Sequence, residues 1–93
     1  MMKLFQQIWE ETPESRRVCF ETGEKIYDAT NANFHHVLEK SKYPEYTMER
    51  WNIILVSVQT HDQVHKDIDK TPKIKGYRRG LLVKHTSSID IID

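Results

Sequence analysis

The sequence predicts one small α+β domain, because two segments have a helical period and a short segment between them is continuously apolar. Apolar residues at helical spacing over residues 4–9 predict an N-terminal helix that ends near Pro13. The four large apolar residues 53–56, within a predicted strand over 52–57, fit a buried strand better than a helix. The i, i+3, i+4, i+7 pattern of residues 61–68 predicts a helix from about residue 58, with this face turned towards the strands.

The segment between the first helix and the apolar run predicts further β-structure. Two short β-rich stretches, residues 16–20 and 25–27, flank a turn over residues 21–24 that contains Gly23, and predict a hairpin. Residues 34–38 predict a strand, and the segment that follows, with Pro44, predicts a loop.

The C-terminal third is predicted to be partly helical. Pro72 is expected to stop the second helix, because the residue before a proline is disfavoured in helical conformation. Residues 77–85 predict a final helix or an extended packing segment. Residues 86–93 are expected to fray or to add an edge strand through their isoleucines.

Length and cysteine content limit the class of protein. A chain of 93 residues has room for one small domain, and its single cysteine, Cys19, excludes an intramolecular disulfide and a four-cysteine zinc site. The N-terminus lacks the apolar stretch of a signal peptide, and no segment approaches the ~20 apolar residues that cross a bilayer. We therefore expect a soluble cytoplasmic protein with no membrane partner.

Charge is balanced overall but not along the chain. There are 14 basic and 14 acidic side chains, whereas residues 66–86 carry seven Lys or Arg and only two Asp. Such a basic segment is typical of a phosphate-contacting surface, although a solvated helix face would have the same composition.

Four of the five histidines form two clusters. His35 and His36 are adjacent, and their side chains point to opposite faces of a strand unless the strand ends or bends there, so one can bind a metal while the other has a separate task. His61 and His65 are one helical turn apart, with β-carbons about 6 Å from each other, which suits chelation of one ion. Three imidazoles leave coordination positions open for a phosphate oxygen, and the fourth can transfer protons near neutral pH.

In order and spacing, the adjacent histidines, Asn52 and the His61-x-x-x-His65 pair resemble the HNH endonuclease family, most closely its colicin-type branch. The resemblance covers about residues 16–70 and implies a ββα-metal (His-Me finger) core, followed by a basic C-terminal extension over residues 71–93 of the same domain. It implies a DNA endonuclease that nicks one strand per encounter.

The resemblance also implies a role for each residue that matches the motif. His35, His61 and His65 would bind one divalent metal, which could be Zn²⁺, Ni²⁺, Mn²⁺ or Mg²⁺. His36 would be the general base that activates water. Asn52 would tie down the loop between the strands without touching the metal.

The expected partner is DNA, in the cytoplasm of a bacterial or phage-infected cell, with a homodimer or a larger phage or recombination machine as a further possibility. Lys40 and Lys42 directly follow the histidine pair and are the first candidates for phosphate contacts. Further candidates are Arg50, Arg78 and Arg79.

Several interpretations remain open. Glu39 stands where the family often has proline, and it could weaken phosphate approach or pair with a histidine. Trp51 and nearby tyrosines could stack on bases or pack the loop onto the hairpin, and His85 is expected to be a buried core residue or simply exposed. The whole chain could also be a non-catalytic HNH-fold module for DNA binding or recombination, or a small zinc-stabilised protein interaction domain.

Overall fold

The computed structural model describes residues 1–86 of the chain, so the isoleucines of the predicted terminal edge strand lie outside the described residues. In this part of the chain the fold is a small α+β domain with three α-helices and one two-stranded antiparallel sheet. The elements are α1 (Lys3–Glu11), β1 (Phe34–His36), β2 (Ile53–Leu55), α2 (Val58–Lys66) and α3 (Pro72–His85). Two 3-10 turns lie between α1 and β1, two between β1 and β2, and one between α2 and α3.

The sheet is shorter than predicted but pairs the expected segments. Phe34 lies opposite Leu55 and His36 opposite Ile53, so each strand has three residues instead of the five or six predicted. The ladder ends after His36 because the N–H of Asn52 donates to the carbonyl of Glu49 at 3.0 Å, so that of the next pair only the bond from the Val37 N–H to the Asn52 carbonyl, at 2.9 Å, is formed.

The predicted hairpin over residues 16–27 is reduced to a single bridge between Val18 and Lys25. Gly23 makes the turn with a φ of 76°, a conformation that favours glycine. The first half of the hairpin does not pair further with the second half. Instead the N–H of Phe20 donates to the carbonyl of Leu55 at 2.8 Å, which attaches this segment to the edge of β2. Cys19, on this segment, is 1 % exposed and lies 3.4 Å from the Thr60 hydroxyl.

The position of Pro72 was interpreted wrongly from the sequence. It does not stop α2, which ends at Lys66, but is the first residue of α3, where its missing N–H removes no helical hydrogen bond. The carboxylate of Glu21 accepts the next two N–H groups, from Lys73 at 3.1 Å and Ile74 at 2.9 Å. The helix therefore begins five residues before the predicted residue 77.

Helices cover both faces of the sheet. On one face, Phe5 of α1 stacks on Phe34 with ring centroids 4.6 Å apart. On the other face, β2, α2 and α3 share the main core, in which Val56 and Ile74 are fully buried and Leu81 is nearly so. Residues 72–85 thus pack into the same core as the rest of the domain. None of the helices in residues 1–86 has the length and apolar character that a membrane-spanning segment needs.

Candidate metal centre

The strand register determines where the two adjacent histidines point. His35 lies opposite Ile54 and faces α2, and its side chain is 7 % exposed. Its ring centroid is 5.5 Å from that of His61 and 5.5 Å from that of His65. The sheet and the second helix therefore bring three imidazoles together, as the sequence predicted.

The start of α2 positions the other two rings. Ser57 caps the helix, because its hydroxyl accepts the N–H of Thr60 at 3.1 Å. One turn later, the Nε2 atoms of His61 and His65 are 3.1 Å apart. His61 is half-buried and His65 is exposed, so the pair opens to solvent on the His65 side.

The three rings fit a divalent ion. One ring nitrogen from each of His35, His61 and His65 lies within 4.8 Å of the others, and no other such group of potential ligands occurs in residues 1–86. Two nitrogens of a tetrahedral zinc site are about 3.3 Å apart, since each Zn–N bond is about 2.0–2.1 Å long. The measured 3.1 Å between His61 and His65 is close to that separation. An all-imidazole set suits Zn²⁺ or Ni²⁺ better than Mg²⁺ or Mn²⁺.

The surroundings of His35 and His61 favour the neutral ring, the form that binds metals. Burial, together with the charges of His61, His65 and His36, lowers the pKa of His35 to about 4. Burial and His65 also lower the pKa of His61, against an opposing hydrogen bond to the backbone of Ala32. A backbone partner of this kind orients a ligand ring, and nothing in the sequence pattern identified Ala32.

The lowered pKa of His35 predicts acid sensitivity of the metal-free protein. In the folded state this pKa is about 4, whereas an unfolded histidine has a pKa near ~6.5, so between these values the unfolded chain binds more protons. This difference in pKa contributes about 3 kcal/mol to the free energy of unfolding above about pH 6.5, and the contribution is lost as the pH falls towards 4. We expect urea unfolding in a chelator to show a shallower pH dependence for His35→Asn than for the parent between pH 7 and 4.5. Equal slopes for the two proteins would contradict this expectation.

His36 faces the other side of the sheet from His35, yet it reaches the same cavity. Its ring packs against Phe5 at 5.8 Å, and its Nε2 is 2.9 Å from the carbonyl oxygen of Thr47. Because a carbonyl oxygen only accepts, Nε2 carries the proton and Nδ1 is left as an acceptor. The strand ends at His36, so this ring and the three others line one cavity of about 560 Å³.

Asn52 fastens the loop that supplies the Thr47 carbonyl. It is fully buried, and its side-chain oxygen accepts the N–H of Leu38 at 2.7 Å. Its Nδ2 donates to the carbonyls of Leu38 and Tyr46, each at 3.1 Å. One side chain thus joins the two ends of the loop and holds the residue next to Thr47.

We expect Asn52→Ala to destabilise the domain by about 2–4 kcal/mol, because it leaves the buried backbone groups of Leu38 and the partly buried carbonyl of Tyr46 without partners. Asn31→Ala is the matched control, since this exposed residue accepts a single backbone hydrogen bond, from Met2. Urea unfolding at pH 7.5 measures both. Equal stabilities for the two variants would show that the loop does not depend on Asn52.

The predicted DNA-contacting cations are placed differently from one another. Lys40 lines the histidine cavity, whereas the other four lie outside its lining. Lys42 is 4.0 Å from Glu39, and Arg78 is 2.9 Å from the same carboxylate. Glu39 therefore pairs with an arginine and a lysine, and none of its described ion pairs is to a histidine.

The two remaining cations are both exposed. Arg50 pairs with Glu11 of α1, and this contact lowers the pKa of the Glu11 carboxyl. Arg79 extends from the surface of α3.

Sequence reasoning did not identify the contribution of α1 to the site. Met2 and Phe5 line the cavity, and the backbone N–H of Met2 donates to the Asn31 side chain at 2.8 Å, which fixes the start of the helix beside the site. The helical period of residues 4–9 indicated a buried face but not its partner. Comparison with known protein families, curated proteins and solved structures finds no match for the chain.

Proposed function

We propose that this protein is a metal-dependent endonuclease of the HNH type, which hydrolyses phosphodiester bonds in DNA and cuts one strand per encounter. The observation that carries the proposal is the convergence of three imidazoles on one cavity, beside a fourth imidazole whose Nε2 is held by a backbone carbonyl. In this proposal β1, β2 and α2 form the ββα-metal core.

His35, His61 and His65 would hold one divalent ion through one ring nitrogen each. When bound, such an ion acts as a Lewis acid that neutralises charge on the scissile phosphate and the leaving 3′ oxygen. The exposed side of His65 leaves room for the phosphate to approach.

His36 would act as the general base. Its Nδ1 takes a proton from water as the water oxygen attacks phosphorus, and the resulting imidazolium keeps its Nε2–H bond to the Thr47 carbonyl. Asn52 is a positioning residue, because it holds the loop on which Thr47 lies. A base held in one orientation needs no reorganisation when the phosphate arrives.

Lys40 is the cation best placed to orient the DNA backbone, because it lines the cavity. Lys42, Arg50 and Arg78 could contact phosphate only by exchanging their present carboxylate partners. We therefore propose that few phosphates are neutralised on binding, which is consistent with a net charge of zero. A second copy of the chain or a phage or recombination partner, in the cytoplasm of a bacterial or phage-infected cell, would then supply further DNA contacts.

A plasmid nicking assay tests the proposal. Supercoiled DNA is incubated with the protein after dialysis against a chelator, and Zn²⁺, Ni²⁺, Mn²⁺ or Mg²⁺ is added in parallel reactions. We expect open circular DNA with at least one of these ions and none in excess chelator. A parent chain that binds the ions but is inert with all four would overturn the enzyme proposal in favour of a non-catalytic DNA-binding module.

A further inference from the structure

A second cavity, of about 370 Å³, lies between α3 and the loop that precedes β2. It shares no lining residue with the histidine cavity. One wall is aromatic, and the rings of Trp51 and His85 are stacked there with centroids 3.7 Å apart and an angle of 5° between their planes. We call this cavity the α3 groove, and it is lined by Trp51, Gly76, Tyr77, Gly80, Lys84 and His85.

The aromatic wall is held in place by hydrogen bonds to the backbone carbonyls of Trp51 and His85, so neither bond uses an atom of the two stacked rings. The hydroxyl of Tyr77 donates to the Trp51 carbonyl, and the hydroxyl of Tyr46 donates to the His85 carbonyl at 2.6 Å. Both phenol groups connect α3 to the loop before β2. The wall is therefore a preformed surface on which a planar group could stack.

Two glycines one helical turn apart, Gly76 and Gly80, also line the groove. A β-carbon added at Gly76 or Gly80 would meet nothing within 4 Å, so folding does not require glycine at either position. Glycine is the least favourable helix residue apart from proline. Its use here keeps the groove open enough for a ligand to approach the helix backbone.

Charge indicates the kind of ligand. Helix α3 carries five Lys or Arg and no Asp or Glu. Lys84 lines the groove, and within residues 1–86 it forms no ion pair. An aromatic wall beside an unpaired cation is the arrangement that binds unpaired nucleotides, with the base on the ring and the phosphate on the cation.

We propose that the α3 groove binds a nucleotide of an unpaired nucleic-acid strand, with the base against the Trp51–His85 wall and the phosphate at Lys84. This site is additional to the metal centre and does not require a metal. An unpaired strand fits better than a duplex, because the faces of paired bases are covered by their neighbours and the cavity has room for about one nucleotide. The ligand is a nucleic acid and not an acidic protein segment, because the wall is aromatic and flat.

The test uses a fluorescently labelled oligothymidylate of ten nucleotides, and fluorescence anisotropy measures its binding to the protein at low salt. A chelator is present so that the metal centre stays empty. We expect His85→Ala to weaken binding roughly tenfold, through the loss of a stacking surface. Lys84→Gln should reduce the salt dependence of binding by roughly 0.7 in the log–log slope, the value for one phosphate contact on a single strand. Lys66→Gln on α2 makes the same change of charge outside the groove, and we expect it to bind like the parent.

The double variant Gly76→Ala/Gly80→Ala distinguishes a binding role from a structural one. Alanine is the better helix former, so we expect a higher melting temperature together with several-fold weaker oligonucleotide binding. A role in stability alone cannot produce this combination. The proposal is overturned if the parent does not bind the oligonucleotide, if the double variant binds it as tightly as the parent, or if a duplex competes as well as a single strand. Because the assay needs no metal, loss of nicking and loss of oligonucleotide binding are separate outcomes.

Discussion

Replacing His36 with alanine is expected to reduce plasmid nicking by about 10²–10⁴-fold, the usual contribution of a positioned general base, while metal binding is retained. The reason is geometric. His36 lines the same cavity as the three converging histidines, but its Nε2 is occupied by the Thr47 carbonyl and its ring packs on Phe5. Removing the ring takes away a proton acceptor without removing any of the three nitrogens that converge.

The measurement combines nicking rates with calorimetric titration of Zn²⁺. Tyr27→Ala is a suitable control, because it removes an aromatic ring that is 80 % exposed, and we expect it to cleave like the parent. Unchanged nicking by His36→Ala would place the base elsewhere. Loss of zinc binding in that variant would show instead that His36 is a ligand.

Binding of a divalent metal is expected to raise the stability of the domain substantially. At a free concentration one hundred times the dissociation constant, a ligand that binds only the folded state adds about 2.7 kcal/mol to the free energy of unfolding. For a domain of this size that corresponds to a rise in melting temperature of roughly 10–20 °C. The effect is large because His35 is on β1 and the other two rings are on α2, so one ion joins both elements.

Two substitutions on α2 separate the metal effect from a change in the helix. We expect His65→Ala to lose most of the zinc-dependent rise in melting temperature, since its ring is one of the three. Gln63→Ala alters an exposed residue of the same helix and should keep the full rise. Scanning calorimetry with zinc and with chelator measures all three proteins. A rise that persists in His65→Ala would mean that zinc binds elsewhere.

Periodicity was enough to predict the elements that have one apolar face. The pattern over residues 61–68 predicted α2, and its two histidines lie together as expected. The short apolar run predicted β2, and alternation along a strand predicted that His35 and His36 have different neighbours. These features are local, so the sequence contains the information that determines them.

Contacts between distant segments could not be predicted in the same way. The hairpin is shortened because Phe20 bonds to Leu55, and α3 starts early because Glu21 binds its first free N–H groups. The Thr47 carbonyl that orients His36 is a backbone group, which no side-chain pattern reveals. Each of these depends on which segments meet after folding. The residue types that make these contacts occur equally well at many other places in a fold, so their identity does not predict the contact.

The rate at which the buried thiol of Cys19 is chemically modified reports how often the domain opens. Cys19 is the single cysteine of the chain and is 1 % exposed, so an alkylating reagent reaches it only after the segment that carries it separates from Thr60. Burial disfavours the thiolate, but hydrogen bonds with Thr22 and Thr60 lower the pKa of Cys19 to about 7, and the rate of modification therefore depends on access more than on ionisation. Thr60 directly precedes His61. The rate of thiol labelling therefore measures how often the Cys19 segment separates from α2 next to the first histidine of that helix, and no probe has to be introduced.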